Sequence, residues 1–250
     1  MYDWPEVALA HDRLWGLIAK RLRQQGLPAP ETLTRAPGLW RLWTAPDLLL
    51  GQVCGLPYRE KLADKVSLIG ALDYGLPDTP PGYYHSVFVT RQGDATTLSD
   101  YAHRTFAFNG QDSQSGWAAA QNHALALGFR FNRLLHTGAH VLSAKAVAER
   151  SADIACIDAI TWRLIQAYRP EIARACQVVA QTAPTPGQAL ITAVPASLEL
   201  IVDALNRALA ALPAADATAL GLTRNFIPLK TEAYLAVPTP SILSQDAAAT

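Results

Sequence analysis

Apolar residues recur at helical spacing between Val7 and Gln25. Leu14, Leu17, Ile18 and Leu22 fall on one stripe, which predicts an amphipathic helix that Gly26 stops. Leu39 to Thr44 reads as a short helix. Asp47-Leu48-Leu49-Leu50 reads as a compact buried strand leading into a turn over 51–58, and Val66 to Leu72 as another strand. Pro77 to Gly82 carries three prolines and reads as loop.

From Tyr83 on, strand and helix patterns alternate. Tyr83 to Arg91 is a predicted strand. Phe106 to Asn109 is a strand followed by a helix over Trp117 to Leu127. Arg130 to His136 leads to a helix over His140 to Arg150, and Asp153 to Ile157 to a helix over Ala159 to Tyr168. Strands are predicted at Gln177 to Gln181 and Ala189 to Ala193. Ser197 is the expected cap of a long helix through Leu212, with Leu198, Ile201, Val202, Leu205 and Leu209 on one face. A helix near Asp216 to Leu220 and an amphipathic stretch over Leu229 to Val237 follow, and Ser241 to Thr250 reads as a frayed end. The alternation predicts an α/β fold.

The distinctive polar groups fall where strands end: Gln52 and Gly55, Ser113 and Ser115, Thr137 to His140, Asp158, and Thr182. In parallel α/β sheets ligands bind beyond the carboxyl ends of the strands, so one cleft is expected to collect them. Ser113-Gln114-Ser115-Gly116-Trp117 opens a helix. Its unpaired N–H groups, the positive end of the dipole and two hydroxyls suit an anionic oxygen cluster. The plainer reading of the serines is a helix N-cap, and Asp158 likewise stands where it would cap the helix from Ala159. His136 and His140 are four apart but straddle Gly138 at a strand-to-helix turn, which does not make a zinc pair. No metal and no cofactor is expected.

The 250 residues suffice for one large domain or two lobes. Lys plus Arg and Asp plus Glu number 21 each, so no basic field holds a nucleic acid. Cys54, Cys156 and Cys176 lie far apart and make no disulfide framework. No apolar run reaches membrane-spanning length, and Met1-Tyr2-Asp3-Trp4-Pro5-Glu6 lacks the features of a signal peptide.

The order Asn109-x-x-Asp112-Ser113-x-Ser115-Gly116, then Gly138-Ala139-His140 with Ala144 to Ala148, then Ala152-Asp153-Ile154-Ala155-Cys156-Ile157-Asp158, resembles the phosphonate-type substrate-binding proteins of ABC transporters. Leu49 to Pro57 and the loop Thr182-Ala183-Pro184-Thr185-Pro186-Gly187 resemble the same family. The resemblance implies a two-lobed type 2 periplasmic-binding-protein fold, with mixed, mostly parallel sheets flanked by helices and a ligand cleft between lobes. It implies one lobe from 1–82 plus 190–250 and a second from 83–189.

The resemblance further implies a small oxyanion, phosphonate- or phosphate-like, as ligand. Ser113, Gln114, Ser115, Gly116 and Trp117 would grip it, with His140 as an added donor. Tyr84 and Asp158 would line the cleft, and Gln52 and Cys54 would approach from the first lobe. The partners implied are an ABC permease and its ATPase, the place is the periplasm, or the cytoplasm if Met1 is the true start, and the work is recognition rather than catalysis. Two features depart from the family. No leader is visible, and the fold begins with a strand whereas Met1-Tyr2-Asp3 resembles the turn after it.

The alternative is a leaderless cytoplasmic enzyme of cofactor biosynthesis, or a ligand sensor, on the same fold. A Ser115–His140–Asp158 triad is a further rival. The nucleophile-elbow pattern Gly-x-Ser-x-Gly is not met, because Ser113 stands where its first glycine belongs.

Overall fold

The computed structural model describes residues 2–35 and 38–241. The chain forms two compact units, Met1–Tyr83 with Pro186–Ala236, and Tyr84–Thr185 with Val237–Thr250.

In unit 1 the long helix α1 (Ala8–Gln24) buries Leu14, Trp15, Ile18 and Leu22, as its stripe predicts. The helix α2 (Leu39–Trp43) precedes strand β1 (Gly51–Val53) and a single turn, α3 (Gly55–Pro57), which runs into a π-turn over Tyr58–Leu62. Strand β1 begins where the expected strand 47–50 was to end. Leu48 is tied into a turn by its N–H to the Ala45 carbonyl, and its own carbonyl accepts from the Ala193 N–H at 2.8 Å, so pairing starts at Gly51. Strand β2 (Ser67–Leu72) follows.

The chain crosses between units at β3 (Tyr83–Tyr84) and at β9 (Thr185–Pro186), which form a two-stranded ladder. Back in unit 1, β10 (Ala189–Thr192) enters the middle of the sheet, whose order is β1-β10-β2-β11, the last being Phe226–Ile227. These pairings are antiparallel, with Gln52 opposite Leu190 and Phe226 opposite Leu72. Gly70 sits at the register shift of β2 against β10. Its φ is +149°, and a Cβ there would stand 2.4 Å from the Ile227 carbonyl oxygen, so only glycine fits.

Helix α8 (Leu198–Ala211) packs on α1 and buries Ile201, Ala204, Leu205, Ala208 and Leu209. Ser197 ends a short 3₁₀ turn ahead of it and makes no side-chain cap, which corrects the expected N-cap. Helix α9 (Ala214–Leu220) is tied to α1 by Arg13 Nε donating to Asp216 at 2.7 Å. Trp43, Val53, Tyr58, Leu62, Ile191 and Tyr234 form one apolar cluster. Tyr234 comes from α10 (Thr231–Leu235) and meets Tyr58 edge to face at 5.0 Å.

Unit 2 holds β4 (Ser86–Arg91), β5 (Thr105–Phe108), β6 (Arg133–His136), β7 (Ile154–Asp158) and β8 (Cys176–Gln181), in the order β6-β5-β7-β4-β8. Strand β5 is parallel to β6 and β7, whereas β4 is antiparallel to β7 and β8. Helices α4 (Ala119–Ala126), α5 (His140–Ala148), α6 (Ala159–Tyr168) and α7 (Pro170–Ala175) accompany this sheet. The six-residue α7 begins with Pro170 at its first position and has too little stripe to be read from periodicity.

Gln121 of α4 clamps the backbone of Phe131, donating to its carbonyl at 2.9 Å and accepting from its N–H at 3.2 Å. Residues 237–241, expected with the first lobe, go with unit 2. Asn122 Nδ2 donates to the Pro238 carbonyl at 2.8 Å, and Arg130 donates to the Ser241 carbonyl at 2.7 Å. The rest of the expected frayed end, from 242, lies outside the described residues.

Register places the future site. Phe108 pairs with His136, Ser86 with Asp158, and Val87 with Gln181. The carboxyl ends of β5, β6, β7 and β8 therefore share one edge of the unit 2 sheet with the start of β4.

Candidate functional site

Beyond Phe108 the chain turns tightly. The Ser113 N–H donates to the Gly110 carbonyl, and Ser113, in extended backbone, caps a π-turn over Gln114–Ala118. The turn is wide because the Ala118 N–H reaches back to the Ser113 carbonyl at 3.0 Å, five residues away. Ser113 Oγ accepts from the Gly116 N–H at 3.0 Å and lies 3.4 Å from Ser115 Oγ. So the plain capping role of Ser113 is real and coexists with a cluster of hydroxyls.

From the neighbouring strand, the Thr137 N–H donates to the Phe108 carbonyl at 2.9 Å. The Thr137 hydroxyl lies 2.6 Å from that of Ser143, which fixes the start of α5. Ala139 is extended and supplies no side-chain cap, so the first N–H groups of α5 have no partner from that residue. His140, the first residue of α5, brings Nε2 to 2.8 Å from Ser115 Oγ.

Burial pushes the His140 pKa down to about 4, so the ring is neutral near pH 7. The Oδ1 of Asn109 beside it is a shielded polar atom with no hydrogen-bond partner. Gly116 is where these groups meet. A Cβ on it would stand 1.9 Å from Asn109 Oδ1 and 3.0 Å from His140 Cε1.

Asp158 ends β7 at the same sheet edge. Its carboxylate caps α6, with Oδ1 accepting from Ile160 N–H at 2.7 Å and Thr161 N–H at 3.0 Å. The bonds of the His140 ring run to Ser115 and to the Cys156 backbone rather than to Asp158, so Ser115, His140 and Asp158 do not form a hydrogen-bonded triad. Burial also raises the Cys156 thiol well above its ordinary range, which keeps it protonated.

The structure thus brings Ser113, Ser115, Gly116 and His140 together. Gln114 is buried in the same turn. Trp117, expected to grip the ligand, is as buried as Gln114 and Ser115, with its ring 5.0 Å from that of Phe108. Tyr84 is buried on its crossing strand. Gln52 and Cys54 belong to unit 1. Gln52 borders an apolar cavity of about 140 Å³ among Leu14, Trp15, Leu50 and Leu205, and Cys54 is buried ahead of α3. Asn109 was legible only as part of a motif and not as a site group, since nothing in its neighbours tells that Gly116 leaves room for its amide.

The family model of the periplasmic phosphonate substrate-binding proteins of ABC transporters matches residues 63–234. No curated protein matches the chain. Among solved structures, PhnD1 from Prochlorococcus marinus (MIT 9301) in complex with methylphosphonate is similar with a TM-score of 0.68. It is 13% identical, over 91% of this chain and 90% of that one. XAC2383 from Xanthomonas citri bound to ATP gives 0.67 at 18% identity, over 90% of each chain. The binding protein component of an ABC phosphonate transporter (PA3383) from Pseudomonas aeruginosa gives 0.57 at 17% identity, over 84% of this chain and 72% of that one. At such identities the likeness establishes the fold. No helix among the described residues is long and apolar enough to cross a membrane.

Proposed function

This chain belongs to the periplasmic phosphonate substrate-binding family of ABC transporters, and on that premise we propose that the Ser113–Gly116 turn and His140 are its grip on a phosphonate-like oxyanion. The observation that carries the reading is the convergence of two serine hydroxyls and a neutral imidazole, with Ser115 Oγ and His140 Nε2 at 2.8 Å. The hydroxyls turn protons toward an anionic oxygen, with the imidazole orienting Ser115 through the bond they share, and hydrogen bonds to an ionised acceptor are about twice as strong as neutral ones. The N-terminus of α5 adds its dipole. Asp158 serves as a cap first, and any contact with an amine or hydroxyl of the ligand is secondary to that.

The work is binding and release rather than turnover. The chain would act in the periplasm, handing its ligand to a permease driven by an ATPase, the partners with which the family works. Titration of the purified protein with methylphosphonate, phosphate and acetate, followed by calorimetry, tests this. Saturable binding of a tetrahedral oxyanion, recovered intact and lost when both serines become alanine, supports the assignment. Unchanged affinity in Ser113→Ala/Ser115→Ala sinks it, and conversion of the ligand sinks the non-catalytic reading.

A further inference from the structure

The groups that converge at the Ser113–Gly116 turn carry no formal positive charge: two hydroxyls, backbone N–H groups and an imidazole that is neutral near pH 7. Among them lies an acceptor. Asn109 Oδ1 is shielded from water and has no hydrogen-bond partner, and it occupies the space a Gly116 Cβ would fill, beside the His140 ring edge. A carbonyl oxygen is an odd neighbour for a bare anion, because it repels it and stays unsatisfied. A ligand with a proton on one of its oxygens turns the same atom into a partner.

We propose that Asn109 is a specificity residue that selects a singly protonated oxyanion, a hydrogen phosphonate, over an unprotonated isostere such as a sulfonate. This rests on the assignment of the oxyanion grip to this turn. The P–OH of the ligand donates to Asn109 Oδ1, while its other oxygens accept from the serine hydroxyls, which His140 orients. A site built to receive a ligand hydroxyl rejects an analogue that lacks it, because the buried acceptor is then left alone.

Methylphosphonate and methanesulfonate make the test, since they share shape and, below the second dissociation of the phosphonate, charge. Asp112, His123, His136, Cys156 and Asp158 are other titratable groups on the turn and on the elements packed against it. Their titration acts on both ligands alike, so the sulfonate corrects for it. Calorimetry at mildly acid pH should give methylphosphonate an affinity on the order of a hundredfold above methanesulfonate. Relative to the sulfonate, phosphonate affinity should fall about tenfold per pH unit once its remaining proton is lost. Asn109→Ala should bring the two affinities together, and Asn109→Asp should weaken the sulfonate further. Equal wild-type binding of the two, or a flat ratio across pH, overturns the inference while leaving the oxyanion grip standing. Failure of every oxyanion to bind the wild type overturns both. The wild-type ratio decides the matter even if neither variant folds.

Discussion

Ser115 Oγ and His140 Nε2 stand 2.8 Å apart although 25 positions separate them in the chain. The bond joins the π-turn after β5 to the first residue of α5, so two strand ends of unit 2 are locked into one cluster. Ser115→Ala should weaken binding of methylphosphonate by about ten- to a hundredfold, the worth of one hydrogen bond to a charged acceptor. His140→Ala should do the same. The double variant should lose less than the sum, because each group orients the other. Calorimetric titration of the four proteins checks this, and strict additivity would sever the two residues functionally.

Stability should depend on pH through His140. Its folded pKa is depressed to about 4 from an ordinary 6.5, because burial disfavours the charged ring. Between these values the unfolded chain takes up a proton that the folded protein refuses. The contribution is therefore complete above about pH 6.5 and is lost as pH falls toward 4, at most about 3 kcal/mol. His11 and His123, also lowered by burial, act in the same direction. Urea unfolding across this range should show the decline, and His140→Asn should flatten most of it.

Gly116→Ala should be destabilising. The added methyl lands 1.9 Å from Asn109 Oδ1, so the amide must move or the turn must open. Overpacking of this kind costs about 1–3 kcal/mol. Denaturant unfolding should register that cost, and oxyanion binding should weaken with it. A variant as stable as the parent would show that Asn109 can step aside freely.

Asp158 gives a cleaner division between cap and ligand contact. Loss of its two N–H bonds in Asp158→Ala should cost about 1–2 kcal/mol, whereas Asp158→Asn keeps an oxygen acceptor and most of the stability. Thermal unfolding reads the cap. If Asp158→Asn keeps its melting temperature but binds an aminoalkyl phosphonate less tightly than its parent, the carboxylate has the second role as well.

Gln121 pins α4 to the backbone of Phe131. It is fully buried and satisfies both the N–H and the carbonyl of Phe131. Gln121→Ala leaves two buried backbone groups unpaired, and a loss of about 2–4 kcal/mol is expected in chemical unfolding. Gln121→Glu loses the donor and sets a buried carboxylate against the Phe131 carbonyl, so it should lose at least as much near neutral pH and recover part of the loss as acid protonates it.

What could be read ahead of the structure follows from how local each signal is. The stripe Leu14, Ile18, Leu22 specifies α1 within its own turns, and the spacing of Ser113, Ser115 and Gly116 before an alanine-rich helix marks a turn by local chemistry alone. The packing of Trp117 is not legible in the same way. Its successors Ala118, Ala119 and Ala120 are too small to reveal which side of the helix start faces the core, and the contact with Phe108 comes from the preceding strand. The shift of β1 from 47–50 to 51–53 is equally non-local, since Ala189 to Ile191 set its register. Asn109 lies beyond sequence reasoning altogether, because its partnerless oxygen exists only by virtue of a missing side chain across the turn.

The uncharged character of the donor cluster bears on how such a protein meets its ligand. A cationic site draws anions from a distance and loses that pull as salt rises. Hydroxyls, amides and a neutral ring act only at contact, on a chain whose 21 basic and 21 acidic residues cancel. Capture by this cluster should therefore be nearly blind to ionic strength, with similar association rates in dilute and in brackish surroundings.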